Sequence, residues 1–323
     1  MNKDQFVIAC VESAESAAIV LPWARHFAEC LNHKGLMVLH VSTTATDDSW
    51  LKELGVPFVS MRGDWRTAIE GIPTAFNGIL AVAAVNPAAP RTSLTHPKRL
   101  LHEFKNCKTA YLVVGSRRSE SGRVEESKSR KVEKSKSQRV EESLSHPDSQ
   151  SPGDSKTQRV NFNFPACSQA LSTAELNIIS EKLSTFNFSL TTSLLTMTHR
   201  REGKEKLVWA SYLARFLGSR ITIAHPDYRD GDLRMRWKNN MRFVDKMFAP
   251  LGITYTDAVA YGDDHKNLDL LQPDLLIART SDPRERDIVD LLSPLPEYRL
   301  LIHPSHTPIL FLNPRDDLYI LCD

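Results

Sequence analysis

Glycine is scarce in this chain, at 13 of 323 residues, and none lies between Gly78 and Gly115 or after Gly262. A phosphate cradle needs backbone N–H groups converging on an anion, and usually glycine so that the chain can approach it closely. Where such cradles would fall, the sequence places Pro87, Pro90 and Pro283 instead, each removing a donor. These gaps argue against a glycine-cradled nucleotide site. The chain also has no Walker loop and no G-x-S-x-G nucleophile elbow, and its scattered Ser, His and Asp residues cannot be assembled into a triad from the sequence alone. The five cysteines (Cys10, Cys30, Cys107, Cys167 and Cys322) are scattered, odd in number and without a C-x-x-C pair. They read as buried or idle thiols of a reducing cytoplasm, not as a disulfide framework or a metal site. No apolar run approaches the roughly 20 residues that span a bilayer. Met1–Gln5 leads directly into a strand, without the pattern of a secretory signal. A net charge of +2 supplies no global field for nucleic acid or anionic membrane.

What is present is an α/β pattern stated twice, in a chain with room for two domains. In the first half, apolar runs at 6–11, 36–41, 57–61, 78–85 and 109–114 read as strands. Helical spacing occupies 15–32, 47–54, 64–76 and 93–106, with Pro73 a candidate breaker. In the second half, strands are expected at 188–198, 220–225, 253–261, 274–278 and 307–312. Helices are expected at 202–217, 232–249, 268–271 and 285–292, and 318–321 is a candidate edge strand. Continuous apolar strands alternating with helices imply a parallel sheet covered on both faces, so each half should be a doubly wound five-stranded unit. Between them, residues 116–160 hold twelve serines and no aromatic residue, and repeat a charged eight-residue unit starting at Arg123, Lys131 and Arg139. One valine per unit drifts about 80° around a helix at each repeat and forms no seam. Such a segment cannot offset its ordering entropy by burial. The expected organisation is an α/β domain over 1–116, a disordered linker over 117–160, a connecting helix over 161–186 opened by a capping box at Ser172–Glu175, and a second α/β domain over 187–323.

In sheets of this kind, ligands bind beyond the carboxyl ends of the strands where the strand order reverses. That rule selects Glu12 and Ser13 after the first strand and His199, Arg200 and Arg201 after its counterpart. It also selects Asn86–Pro90, and Arg279, Thr280 and Ser281, after the fourth strands. Arg284 and Arg286 could add to a basic mouth in the second half, though solvated surface arginines explain them as well. Other candidates read as structural. Pro304 disfavours a metal-binding helix face at His303 and His306, which fit a turn. Asp263-Asp264-His265 fits a helix N-terminus, where carboxylates suit the dipole. The basic stripe of helix 232–249 accompanies an amphipathic core pattern of Leu233, Trp237, Met241, Val244 and Phe248, and so fits ordinary packing more than nucleic-acid binding.

The strand–helix order, with endings such as Leu300-Leu301-Ile302-His303-Pro304-Ser305-His306-Thr307-Pro308-Ile309-Leu310-Phe311-Leu312, resembles the universal stress protein family over nearly the whole chain. The resemblance implies a tandem, Rossmann-like fold related to the adenine nucleotide alpha hydrolases. The two units would pack as an internal pseudo-dimer through their final strands, and two chains could associate further. ATP-binding members of the family carry Gly-x-x-Gly, a nine-residue spacer and Gly-Ser/Thr after the fourth strand, with an aspartate after the first. Here the glycines are missing from both units, and Glu12 and His199 stand near the aspartate's place. The resemblance therefore implies the type that does not bind ATP: a non-catalytic, regulatory or binding protein of a cytoplasmic stress response. It would act through a partner protein or small ligand, with no metal and neither ATP nor AMP favoured as cofactor. The first alternative is a nucleotide or anion sensor with a rebuilt, glycine-free pocket drawn from Glu12, Ser13, His199, Arg200, Arg279 and Ser281. The second is a nucleotide-hydrolysing enzyme.

Overall fold

Short apolar runs with both faces covered account for most of the strands. The computed structural model describes residues 5–31, 34–42, 49–115, 190–199, 204–280 and 296–313. The expected linker over 117–160, the connecting helix over 161–186, the helix 285–292 and the strand 318–321 lie outside the described residues. The first half runs β1 (Phe6–Val11), α1 (Ala14–Cys30), β2 (Gly35–Ser42), α2 (Ser49–Glu53), β3 (Phe58–Arg62), α3 (Trp65–Glu70), α4 (Ile72–Ala75), β4 (Gly78–Val85), α5 (Pro97–Phe104) and β5 (Ala110–Gly115). The second half runs β6 (Thr192–Thr196), α6 (Lys204–Phe216), β7 (Arg220–His225), α7 (Gly231–Phe248), β8 (Tyr255–Val259), α8 (Asp264–Leu271), β9 (Leu275–Arg279), α9 (Pro296–Leu301) and β10 (Ile309–Leu312).

The two expected five-stranded sheets are joined into one ten-stranded sheet of order β3-β2-β1-β4-β5-β10-β9-β6-β7-β8. Pairing is parallel throughout each half, and β5 and β10 pair antiparallel at the seam. Each of these strands covers an edge that would otherwise present unpaired N–H and C=O groups. Period-two alternation divides the core between the two faces of the sheet. On β1, Val7, Ala9 and Val11 belong to the apolar layer on one face that also holds Leu195, Ile277 and Leu310 of the second half. Ile8 and Cys10 belong to the layer on the other face, which also holds Leu194, Leu276 and Phe311. Each face is thus one apolar layer running across the seam. At the seam Tyr111 stacks on Phe311 with ring centroids 5.3 Å apart, and Phe104 packs on Tyr111 at 4.6 Å. The Asn313 amide donates to the carbonyls of Phe104 (2.9 Å) and Cys107 (2.6 Å), tying the end of β10 to the turn before β5.

Several boundaries differ from the sequence expectation. The helix expected over 64–76 is two helices, capped at Gly71. Pro73 cannot bond back within a continuing helix but suits the first turn of a new one. The helix expected from 93 starts at Pro97, because His96 caps it and residues 86–96 form a loop. The strand expected over 188–198 is Thr192–Thr196, and that over 253–261 is Tyr255–Val259, an exposed edge of the sheet. The helix around 268–271 begins earlier, at Asp264, under the Asp263 cap. Gly78 is required by close packing: a Cβ there would stand 2.9 Å from Ile8 Cγ1 and would also collide with Ile72. Among the described residues, no helix is long and apolar enough to cross a membrane.

Because Phe311 is fully buried and stacked across the seam, Phe311→Ala is expected to destabilise the chain by about 3–5 kcal/mol. Urea unfolding would measure this, and a loss below about 1 kcal/mol would mean that the seam does not hold the halves together.

Candidate functional site

Strand order reverses between β1 and β4 and again between β6 and β9, which places one crevice in each half. Since β5 and β10 are antiparallel, the carboxyl ends of the two halves point to opposite ends of the sheet. Five strand steps separate β1 from β6, about 24 Å at the usual spacing. Glu12 and Ser13 therefore cannot share a pocket with His199 and Arg279, and the single rebuilt site drawn from all of them divides in two. Arg200 and Ser281, like Arg284 and Arg286, lie outside the described residues.

In the first crevice Glu12 leaves the end of β1 and reaches the loop after β4. Its carboxylate accepts from the Ser93 hydroxyl and, at 2.6 Å, from the Leu94 amide. Ser93 Oγ also lies 2.7 Å from Thr95 Oγ1 and accepts from the Thr95 amide at 3.1 Å. The loop is braced by Asn86, whose side chain accepts from the Ala88 amide (3.0 Å) and whose own amide donates to the Thr95 carbonyl (2.8 Å). Ser13 serves the helix: its hydroxyl accepts from the Ser16 amide at 3.2 Å, and Ser16 Oγ accepts from the Ser13 amide at 3.0 Å, a capping box opening α1. At this mouth the Ser93 hydroxyl and Leu94 amide are thus engaged by Glu12, and the Glu12, Ser13 and Ser16 amides by the cap. Cys10 lies near the end of β1. Burial pushes its thiol far up, with Cys107 adding to the shift, and burial pushes Cys107 to about 12.

The second crevice is built differently. The His199 amide donates to Tyr228 Oη at 2.9 Å, and His199 Nδ1 lies 3.1 Å from the same oxygen with the rings edge to face. Lys206, buried in the first turn of α6, donates to the Thr196 carbonyl at 2.8 Å. Asn240 donates to the Thr198 carbonyl at 2.7 Å, and Asn267 donates to Thr196 Oγ1 at 3.0 Å. Arg279 ends β9, half-buried. This mouth is lined by cationic and neutral donors, with no counterpart of the Glu12 carboxylate among the groups just named. Of the α7 residues read as packing, Met241, Val244 and Phe248 are buried and Trp237 stacks on His225 at 4.1 Å, whereas Leu233 is only half-buried and outside the core clusters. A further cavity of about 370 Å³ lies at the seam, lined by Lys108, Thr109, Trp209, Tyr212 and Asn313 among others.

A third cluster joins two sequence features that had been read separately as structural. His265 and Asp269 sit on one face of α8, and His303 follows α9. His303 Nε2 lies 3.2 Å from Asp269 Oδ1, and the His265 and His303 rings meet edge to face at 4.7 Å. One ligating atom from each of the three lies within 4.8 Å of the others. Burial holds the His303 imidazole below its ordinary pKa, the Asp269 carboxylate pulls it back up, and His265 pushes it down again. Asp269 and Ser93 were missed in the sequence. The four-residue spacing from His265 could have revealed Asp269, but no local signal marks Ser93 as a partner of Glu12.

No protein-family model matches the chain, and no curated protein matches it. Solved structures do resemble it. A functionally unknown protein from Pseudomonas aeruginosa PAO1 aligns over 97% of this chain and 93% of its own at 12% identity and TM-score 0.51. A protein assigned to the universal stress proteins from Pseudomonas aeruginosa UCBPP-PA14 aligns over 97% and 94%, also at 12% identity and TM-score 0.51. A universal stress protein from Archaeoglobus fulgidus DSM 4304 aligns over 96% and 97% at 11% identity and TM-score 0.51.

Two outcomes are expected from this geometry. Glu12→Ala leaves the buried Leu94 amide without its acceptor and should cost about 1–3 kcal/mol in urea unfolding. Site-resolved alkylation at pH 8 should leave Cys10 and Cys107 unmodified in the native protein, and rapid labelling of either would mean that its thiol is accessible and ionised.

Proposed function

From the universal stress protein fold that this chain has, we propose that it is a non-catalytic regulatory or binding module of a cytoplasmic stress response, its two halves forming an internal pseudo-dimer. The observation that carries this reading is the Glu12 carboxylate, which engages the Ser93 hydroxyl and the Leu94 amide at the mouth of the first crevice. A triphosphate entering there would have to displace a like charge and would find no glycine-rich backbone to receive it. The absence of a nucleophile elbow, and the protonated state of the thiol at the end of β1, favour binding over chemistry. The pseudo-dimer is supported by the antiparallel pairing of β5 with β10 and by the two apolar layers shared across it. A partner protein or small ligand is then the agent through which the module acts.

A second reading is favoured by one specific observation. The second crevice collects Lys206, His199 and Arg279 near the ends of β6 and β9, a set suited to an anion. Calorimetric titration with ATP, AMP and inorganic phosphate separates the two. The regulatory reading predicts no saturable heat at micromolar ligand, and phosphate release from ATP no faster than in a His199→Ala control. Saturable micromolar binding that disappears in His199→Ala or Arg279→Ala would replace it with an anion sensor.

A further inference from the structure

We propose that His265, Asp269 and His303 form a binding site for one divalent transition-metal ion of the zinc type. Zinc takes imidazole nitrogen and carboxylate oxygen at about 2.0–2.2 Å in a tetrahedron, so its ligand atoms stand about 3.3 Å apart. His303 Nε2 and Asp269 Oδ1 are already 3.2 Å apart, and no pair in the triad exceeds 4.8 Å. The wider separations would have to close by side-chain rotation of His265 and Asp269. The donor set of two imidazoles and one carboxylate suits zinc better than magnesium or calcium, which prefer oxygen throughout.

The placement is rigid where it needs to be. On α8, Asn267 faces the sheet, fully buried and bonded to Thr196 and Tyr261. His265 and Asp269, two residues to either side, therefore project from the opposite face of the helix, half-buried and exposed respectively. His303 is buried, and its ring is fixed from behind. Nδ1 lies 2.8 Å from Ser305 Oγ, and Ser305 Oγ lies 3.0 Å from Thr307 Oγ1. Without metal, the Ser305 amide at 3.2 Å donates to Nδ1, and the Nε2 proton goes to Asp269. A metal on Nε2 requires the imidazole hydrogen to move from Nε2 to Nδ1, which then donates to Ser305 Oγ and gives up the hydrogen bond it accepts from the Ser305 amide. The bond to Ser305 Oγ is the second hydrogen bond that ligating histidines ordinarily make. Three protein ligands leave a fourth position on the solvent side of Asp269, for water or for a donor from a partner. The ion would join α8 to the turn leading into the seam strand β10, on the face away from Asn267.

The test is zinc binding by chelator-treated full-length protein, measured by competition with a chromophoric chelator, with cobalt substitution as a spectroscopic readout. The expected result is one zinc per chain and a four-coordinate cobalt spectrum. His265→Ala and Asp269→Asn should each weaken zinc affinity by about tenfold or more and abolish the spectrum, with far-ultraviolet circular dichroism unchanged. These two residues are chosen because neither is fully buried, so His303→Ala, which could unfold the region, is not needed. His306→Ala, outside the triad, should bind as the parent does. Absence of zinc binding would overturn the proposal and leave the His303–Asp269 contact as a simple hydrogen bond. Zinc binding that is unchanged in both His265→Ala and Asp269→Asn would overturn it too, by sending the ion elsewhere in the chain.

Discussion

The antiparallel pairing of β5 with β10 is the constraint on which the rest of the molecule depends. It turns two parallel units into one sheet and removes the two edges that such units would otherwise expose. It makes the apolar layer on each face continuous from Val7 to Ile277 and from Ile8 to Leu276. It also points the strand ends of the two halves in opposite directions, so each half has its own crevice, lined by different groups. The first carries a carboxylate at its mouth, and the second carries Lys206, His199 and Arg279.

The scarcity of glycine then acquires a structural meaning. Gly78 is committed to close packing of β4 against Ile8 and Ile72. In the loop after β4, Asn86, Ser93 and Thr95 make the turn connections through side chains, and Glu12 adds a charged acceptor to them. Hydrogen bonds to an ionised acceptor contribute more than neutral ones, so Glu12 stabilises the loop in this conformation. On the reading proposed above, the same interaction that orders the crevice would oppose nucleotide entry.

Strands buried on both faces were legible because their apolar runs are continuous: 78–85 was read with its observed bounds, and 6–11 and 220–225 likewise. The edge strand β8 and the strand β6 were read too long, since apolar residues also cover the approaches to a strand. The division at Gly71 was foreshadowed only by Pro73. The candidate sites were much less legible. Glu12 meets Ser93 and Leu94 across 81 and 82 residues, and His303 meets His265 only because α8 and α9 are neighbours in the helix layer. No periodicity encodes contacts made by topology. His265 and Asp269 share a helix face and were within reach of a spacing argument, but a triad needs its third member before the spacing acquires meaning.

The most direct test of the occupied-crevice account is a crystal structure of the full chain grown with millimolar magnesium ATP. The account predicts density for the Glu12 carboxylate still on Ser93 and Leu94, with no nucleotide beyond the ends of β1 and β4. Adenine and phosphates lodged there, with the 86–96 loop swung away from Glu12, would contradict it.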